Sequence, residues 1–345
     1  MNRNWVTPLR LDLEKAALVH NWRWLTAQSG QAACGAAIKA NGYGLGAQGV
    51  LRQLAGAGCR DFFVASWCEA LALEDMPEGC ALSVLHGVRD EDMAVAVASL
   101  ARPTLNSLAQ ISRWRETGKP CDVMIDTGIN RLGIAPEDVF GGALDGLNID
   151  TLMSHLACAD EDSAMNGHQL AAFRALAGRT TARRLSLANS AGICLGADYA
   201  FDLTRPGLAL YGGVPRAEAA GQIKQVAHPQ AQILQRRILK AGDSIGYNAT
   251  FTAQVDMPVA IINLGYADGI LRAFAGVGTA EGGRCAILGR VSMDLIALDV
   301  LALPEAKEGD WLTLDYALPS TAACTGLSQY ELLTGLGSRF ERVWR

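Results

Sequence analysis

The stretch RPTLNSLAQISRWRETGKPCDVMIDTG, residues 102–128, sets two apolar, strand-like runs, RPTLN (102–106) and CDVMIDTG (121–128), on either side of a segment with a different period. That segment, SLAQISRWRETG, opens on a serine and repeats its apolar side chains at the helical spacing of three and four. A helix between two buried extended runs is the pattern of a crossover joining parallel strands. Reading outward, the same alternation continues through AAIKA (36–40), DFFVAS (61–66), ALSVLHG (81–87), IDTLMSHLA (149–157), RLSLAN (184–189) and LTRPGLALYG (203–212). Helix-period segments such as VLRQLAGAG, DEDMAVAVASLA and GHQLAAFRALAG lie between most of them. Eight such units predict an α/β protein built on an N-terminal (β/α)8 barrel.

After Gly213 the texture changes to closely spaced apolar runs with turns between them, as in DMPVAIINLGYADG and GRCAILGRVSMDLIALDV, which predicts a C-terminal β-strand-rich domain. The opening VTPLRLDL is also strand-like and could pair with that second domain. The expected boundaries are 8–214 for the barrel and 215–345, with residues 1–7, for the β domain. No Gly/Ser-rich or Pro-rich linker separates them.

With 345 residues, half of them hydrophobic, the chain can bury a large core. Its 30 basic and 35 acidic side chains are interspersed and leave a net charge of −5, which argues against a nucleic-acid or anionic-membrane surface and for small-molecule chemistry. The nine cysteines are scattered without a C-x-x-C pair, so neither a disulfide framework nor a metal site is expected. The N-terminus lacks a signal-like apolar region and no run of 18 apolar residues occurs, so the expected location is the cytoplasm.

Barrel chemistry gathers at the C-terminal ends of the strands. Lys39 falls at that end of the first one, where desolvation would lower its pKa and free its amine to attack a carbonyl. Taken alone, it could equally be a strand-end lysine reaching for solvent. The same rim collects Arg131, His155, Asn189, Ser190 and Arg205. Singly these read as a helix cap (Asn189, Ser190), a surface ion pair (Arg205) and a packed core histidine (His155). Together, with the small residues of LANSAG and RPGLALYGG near strands seven and eight, they suggest a phosphate cradle beside a lysine, and so pyridoxal phosphate.

The motifs AAIKANGYGLG, IDTGINRLGI, SHLACAD, SLANSAG, TRPGLALYG, GYNATFTA, INLGYADG and GRVSMDLIALDV, in this order along nearly the whole chain, resemble those of alanine racemases. The resemblance implies a barrel and a β domain joined in a head-to-tail homodimer with shared active sites. It implies that Lys39 holds pyridoxal phosphate and exchanges the Cα proton of an amino-acid substrate on one face, with Tyr247 of the partner subunit as the second base on the other. Arg205 would donate to the ring nitrogen of the cofactor, His155 would pack against the ring, and His155 and Arg205 would form a chain behind Tyr247. Tyr43, Ser190 and the amides of Gly207 and Leu208 would hold the phosphate, with Asn189 beside them. Arg131 and the Met293 amide would bind the substrate carboxylate, Tyr266 would narrow the entrance, and Asp294 and Arg290 would steady the Met293 loop.

Two positions depart from the family. Where relatives commonly carry a lysine, often carbamylated, this chain has Met124, so Arg131 must be held by something else. Near the C-terminus, Ser338 or a neighbour stands where a phosphate-contacting tyrosine is common. A racemase of serine, lysine or broader range is the nearest alternative, and a non-catalytic pyridoxal phosphate carrier a further one. A barrel-type decarboxylase is opposed by the motif order, and a dinucleotide dehydrogenase by the absence of G-x-G-x-x-G at GYGLGA.

Overall fold

The computed structural model describes residues 7–345. Of the expected contribution of residues 1–7 to the second domain, residues 1–6 lie outside the described residues. The chain divides into two compact units, one of residues 18–210 and 214–224, the other of residues up to Ala17 with 211–213 and 225–345.

The first strand, β1 (Leu9–Leu13), belongs to the second of these units. The barrel unit is built from β2 (Ala33–Cys34), β3 (Ala36–Ala37), β4 (Asp61–Val64), β5 (Ala81–Val84), β6 (Arg102–Leu105), β7 (Pro120–Met124), β8 (Asn148–Met153), β9 (Arg184–Ser186) and β10 (Leu203–Thr204). Strands β3 to β9 pair in sequence order, all parallel. β2 and β3 are two pieces of one strand interrupted at Gly35, where a Cβ would lie 2.8 Å from the Asp61 carbonyl oxygen. β10 closes the ring. It pairs with β2, and its flanks donate from Asp202 N to Leu185 O (3.0 Å) and from Arg205 N to Ala188 O (2.8 Å). The expected eight-stranded barrel is therefore present. β4 is buried at every position, as a strand covered on both faces must be.

The extended runs are shorter than their apolar patterns. AAIKA leaves the sheet after Ala37, and LTRPGLALYG after Thr204. In the second case Pro206 has no amide to donate, while the Gly207 and Ala209 amides turn to Ser190 Oγ instead of a neighbouring strand (2.9 and 3.2 Å). At the opposite end of the barrel the strand starts carry an ion network. Arg184 donates to Asp61 (2.8 and 3.0 Å) and Asp150 (2.7 Å), and Arg102 lies 3.4 Å from Asp122 and 3.2 Å from Asp150. These pairs tie β4, β6, β7, β8 and β9 together where no chemistry is expected.

The second unit adds β11 (Ala227–Leu239), β12 (Ser244–Ile245), β13 (Phe251–Thr252), β14 (Met257–Ile262), β15 (Thr279–Ala280), β16 (Cys285–Leu288), β17 (Ile296–Asp299), β18 (Trp311–Thr313) and β19 (Glu341–Trp344). One mixed sheet runs β15-β16-β17-β14-β11-β1-β19, with β18 also on β11. β1 is antiparallel to β11 and parallel to β19. Leu9, Leu11 and Leu13 are buried between partly exposed Arg10 and Asp12, the alternation of a half-buried strand. This strand places residues 9–13 with the β unit, whereas the expected boundary at residue 8 assigned them to the barrel. A short hairpin, β12 and β13, carries Tyr247 in its turn.

Candidate active site

Immediately after Lys39 the chain takes a path that its sequence does not foretell. Ala40, Asn41, Gly42 and Tyr43 all have positive φ, at 52, 53, 64 and 52°, a left-handed turn that is costly for Ala and Tyr. It is fixed from several directions. Gly42 N donates to Ile38 O (2.7 Å), Ala47 N to Asn41 Oδ1 (3.0 Å), and Ala40 N to Glu69 Oε1 (2.8 Å). Glu69 also accepts from Ala65 N at 2.6 Å. It sits in the first turn of the helix Trp67–Leu71, capped by Ser66, and so anchors the lysine turn to the end of β4.

Lys39 faces a cavity of about 230 Å³ at the C-terminal ends of the strands, whose walls include Arg131, His155, Arg205 and Met124. Burial first, then the charge of Arg131, pushes the Lys39 ammonium below its ordinary range, opposed in part by Glu69. A larger share of its amine is therefore neutral than for a surface lysine. Burial and the cations Arg205, Arg131 and Lys39 press His155 to about 3, so its imidazole is neutral at physiological pH. Arg205 is 7% exposed and lowered to about 10 by burial, still charged at neutral pH. It is not the surface ion pair considered from the sequence. It donates to Ser186 Oγ and, at 2.5 Å, to Ser154 O.

The loop that carries Arg131 is shaped by Asp126, whose Oδ1 accepts from Gly128 N (2.8 Å) and Asn130 N (3.1 Å). Gly133 closes it at φ 134°, where a Cβ would lie 2.5 Å from Asp126 N. Gln169 supports His155 from behind, donating to its carbonyl (2.9 Å) and to Thr127 Oγ1 (3.2 Å).

On the strand-seven and strand-eight side, Asn189 caps the short helix Ser190–Cys194 by accepting from Gly192 N at 2.9 Å. The capping reading of Asn189 thus holds. Ser190 Oγ meets the Gly207 and Ala209 amides, and a Cβ on Gly207 would fall 2.2 Å from Tyr43 Oη. Tyr43, Ser190 and Gly207 accordingly lie against one another, with Leu208 adjoining.

Tyr247, Met293 and Tyr266 belong to the β unit. Tyr247 and Met293 are exposed and line one shallow hollow with Gly246, Ser292, Asp294 and Leu295. Tyr266 packs under the Arg272 guanidinium, 5.4 Å from its ring centre, and donates its amide to Ser292 O (3.0 Å). Arg339 grips both flanks, donating to Asp268 (2.6 and 2.7 Å) and to Asp294 (2.6 Å). Asp294, expected with Arg290 to steady the Met293 loop, is held by Arg339. Arg339 and Glu69 act across long sequence separations, and only the S-x-x-E spacing of Ser66 and Glu69 hinted at either.

Among the described residues, no helix is long and apolar enough to cross a membrane, and no cluster of three or more His, Cys, Asp or Glu is placed to hold a metal ion. A lysine whose pKa is lowered, beside two arginines in one cavity, suits an anionic carbonyl compound and a carboxylate.

Sequence-family models described as "Alanine racemase, N-terminal domain" and "Alanine racemase, C-terminal domain" match residues 13–215 and 226–344. The chain is 41% identical to "Alanine racemase, catabolic" of Agrobacterium fabrum, over 97% of this chain and 91% of that protein. It is 37% identical to "Alanine racemase, biosynthetic" of the same organism, over 98% and 94%. Its fold superposes on the crystal structure of alanine racemase from Bartonella henselae with covalently bound pyridoxal phosphate, with a TM-score of 0.89 and 33% identity over 99% of this chain and 100% of that one.

Proposed function

The chain belongs to the alanine racemase family and is a pyridoxal-phosphate-dependent isomerase of alanine, and we propose that Lys39 and Tyr247 of the partner subunit exchange the Cα proton on opposite faces. The observation that supports this most is Lys39 itself, half-buried with its pKa lowered, in one cavity with Arg131, His155 and Arg205. Lys39 would hold the cofactor covalently at its aldehyde carbon. Tyr43, Ser190 and the amides of Gly207 and Leu208 would receive the phosphate, with Asn189 fixing the helix start beside them. When bound, the cofactor supplies an electron sink that acidifies the substrate Cα–H.

The remaining work falls to the chain's own side chains. The Lys39 amine takes or returns the proton at Nζ on one face, and Tyr247 Oη does so on the other, as inversion of a planar centre requires. Arg205, charged and buried, would donate to the ring nitrogen of the cofactor and leave it unprotonated, which limits side reactions. Neutral His155 would pack against the ring without adding a positive charge. Arg131 and the Met293 amide bind the substrate carboxylate, and Tyr266 narrows the approach so that a methyl side chain is preferred.

A homodimer with shared sites follows from this assignment, because Tyr247 and Met293 lie in an exposed hollow of their own unit. A cytoplasmic location agrees with nine free thiols. The test is incubation of the purified enzyme with L-alanine in deuterated water, followed by chiral chromatography and mass spectrometry. D-alanine carrying Cα deuterium is expected. Turnover of serine or lysine with alanine untouched would refute the substrate assignment, and cofactor absorbance with no exchange at all would indicate a carrier.

A further inference from the structure

The cavity sets Arg131 beside Lys39 and Arg205, whose cationic forms offer a guanidinium no acceptor and repel it, and beside neutral His155, which has one acceptor nitrogen. Met124, at the end of β7 from which the Arg131 loop springs, offers only a thioether. The neighbouring strand supplies something better. Leu105 pairs with Val123, so Asn106 stands one step further on, beside Met124, and it lines the same cavity.

Asn106 is 5% exposed. Its amide nitrogen donates to Leu85 O (3.0 Å) and Thr104 O (2.7 Å). Both partners are carbonyls, so the amide cannot be turned over, and its oxygen must point the other way. That oxygen, Oδ1, is buried and meets no donor among the described residues. A buried acceptor without a partner is rare enough in folded proteins to call for a reason.

We propose that Asn106 is a positioning residue for Arg131, its Oδ1 accepting a hydrogen bond from the guanidinium as Arg131 closes on a substrate carboxylate. The proposal rests on the reading of Arg131 as the carboxylate-binding arginine. Arg131 is the fitting donor because its loop follows β7, which pairs with β6, whereas Lys39 follows β3, three strands away. An amide oxygen is also suited to the task. It orients the fork of the guanidinium without neutralising the charge that the carboxylate needs.

A double-mutant cycle on the holoenzyme tests this, with Asn106→Leu, Arg131→Ala and the pair, reading KM for alanine, kcat and cofactor absorbance. Asn106→Leu is expected to raise KM about tenfold, the effect of one hydrogen bond to a charged group. It should change kcat less and keep the absorbance. Arg131→Ala should raise KM further, and adding Asn106→Leu to it should cost almost nothing more. A purely structural role for Asn106, through its bonds to Leu85 and Thr104, would instead multiply with the loss of Arg131. That additive result, or a KM within about twofold of the parent in Asn106→Leu, overturns the proposal while leaving Arg131 as the carboxylate ligand. An unchanged KM in Arg131→Ala overturns both. If Asn106→Leu does not fold, Asn106→Ser withdraws the oxygen without added bulk and carries the same cycle.

Discussion

His155 sits among Lys39, Arg131 and Arg205, and burial together with those cations takes its pKa down to about 3 from an ordinary 6.5. In the unfolded chain it titrates near the ordinary value. Between the two pKa values the unfolded state therefore binds the extra proton, and stability is lost as pH falls from about 6.5 toward 3. The slope from this one group approaches, at most, about 1.4 kcal/mol per pH unit. Urea unfolding of the parent and of His155→Gln at pH 7 and pH 5 should show the parent losing more stability between the two. Equal losses would mean that the imidazole does not resist protonation. Lys39 carries a different expectation. Its neighbours hold the turn in place through Glu69 and backbone bonds, so Lys39→Ala should fold, yet lose both the covalent cofactor absorbance and all alanine turnover. Retained absorbance after extensive dialysis would remove Lys39 from its role.

At the scale of elements, what could be read in advance was what burial on both faces writes into a sequence. DFFV and its counterparts are continuous apolar runs because helices cover one side and the barrel interior the other, and LRLDL alternates because one face of β1 is wet. Motif-bearing loops were legible as locations and not as shapes. AAIKA read as strand through Ala40, but from Ala40 onward the chain is a left-handed turn, held by an acceptor on Glu69, 29 positions later in the chain. The Arg339 clamp on Asp268 and Asp294 spans 71 and 45 positions and left no local period to detect. Within IDTGINRLGI, Gly133 fixes the shape of the loop. At φ 134°, with Asp126 N only 2.5 Å from the point a Cβ would occupy, the position admits no side chain. Gly133→Ala should cost about 1–3 kcal/mol in urea unfolding and also raise KM for alanine, since the loop presents Arg131. Loss of stability with unchanged KM would separate the loop's shape from substrate binding.

Across the whole molecule, the residues assigned to one reaction are divided between the two units. Lys39 and the phosphate-side groups belong to the barrel unit, while Tyr247 and Met293 belong to the β unit. There Tyr247 is 66% exposed and Met293 52%. If each cavity is completed by the partner, two inactive variants must complement one another. Lys39→Ala lacks the nucleophile but carries an intact Tyr247, and Tyr247→Phe carries an intact Lys39. After subunit exchange, random pairing makes half the dimers mixed, and each mixed dimer holds one site with both residues intact and one with neither. Turnover of alanine should then rise from near zero to about a quarter of the parental value by site counting. Native mass spectrometry of differently tagged chains verifies that exchange has occurred. Mixed dimers without recovered turnover would mean that Tyr247 serves the cavity of its own chain, or none. Recovery would assign the second base to the partner and make association a condition of catalysis, so that dilution below the dimer dissociation constant would silence the parent as well.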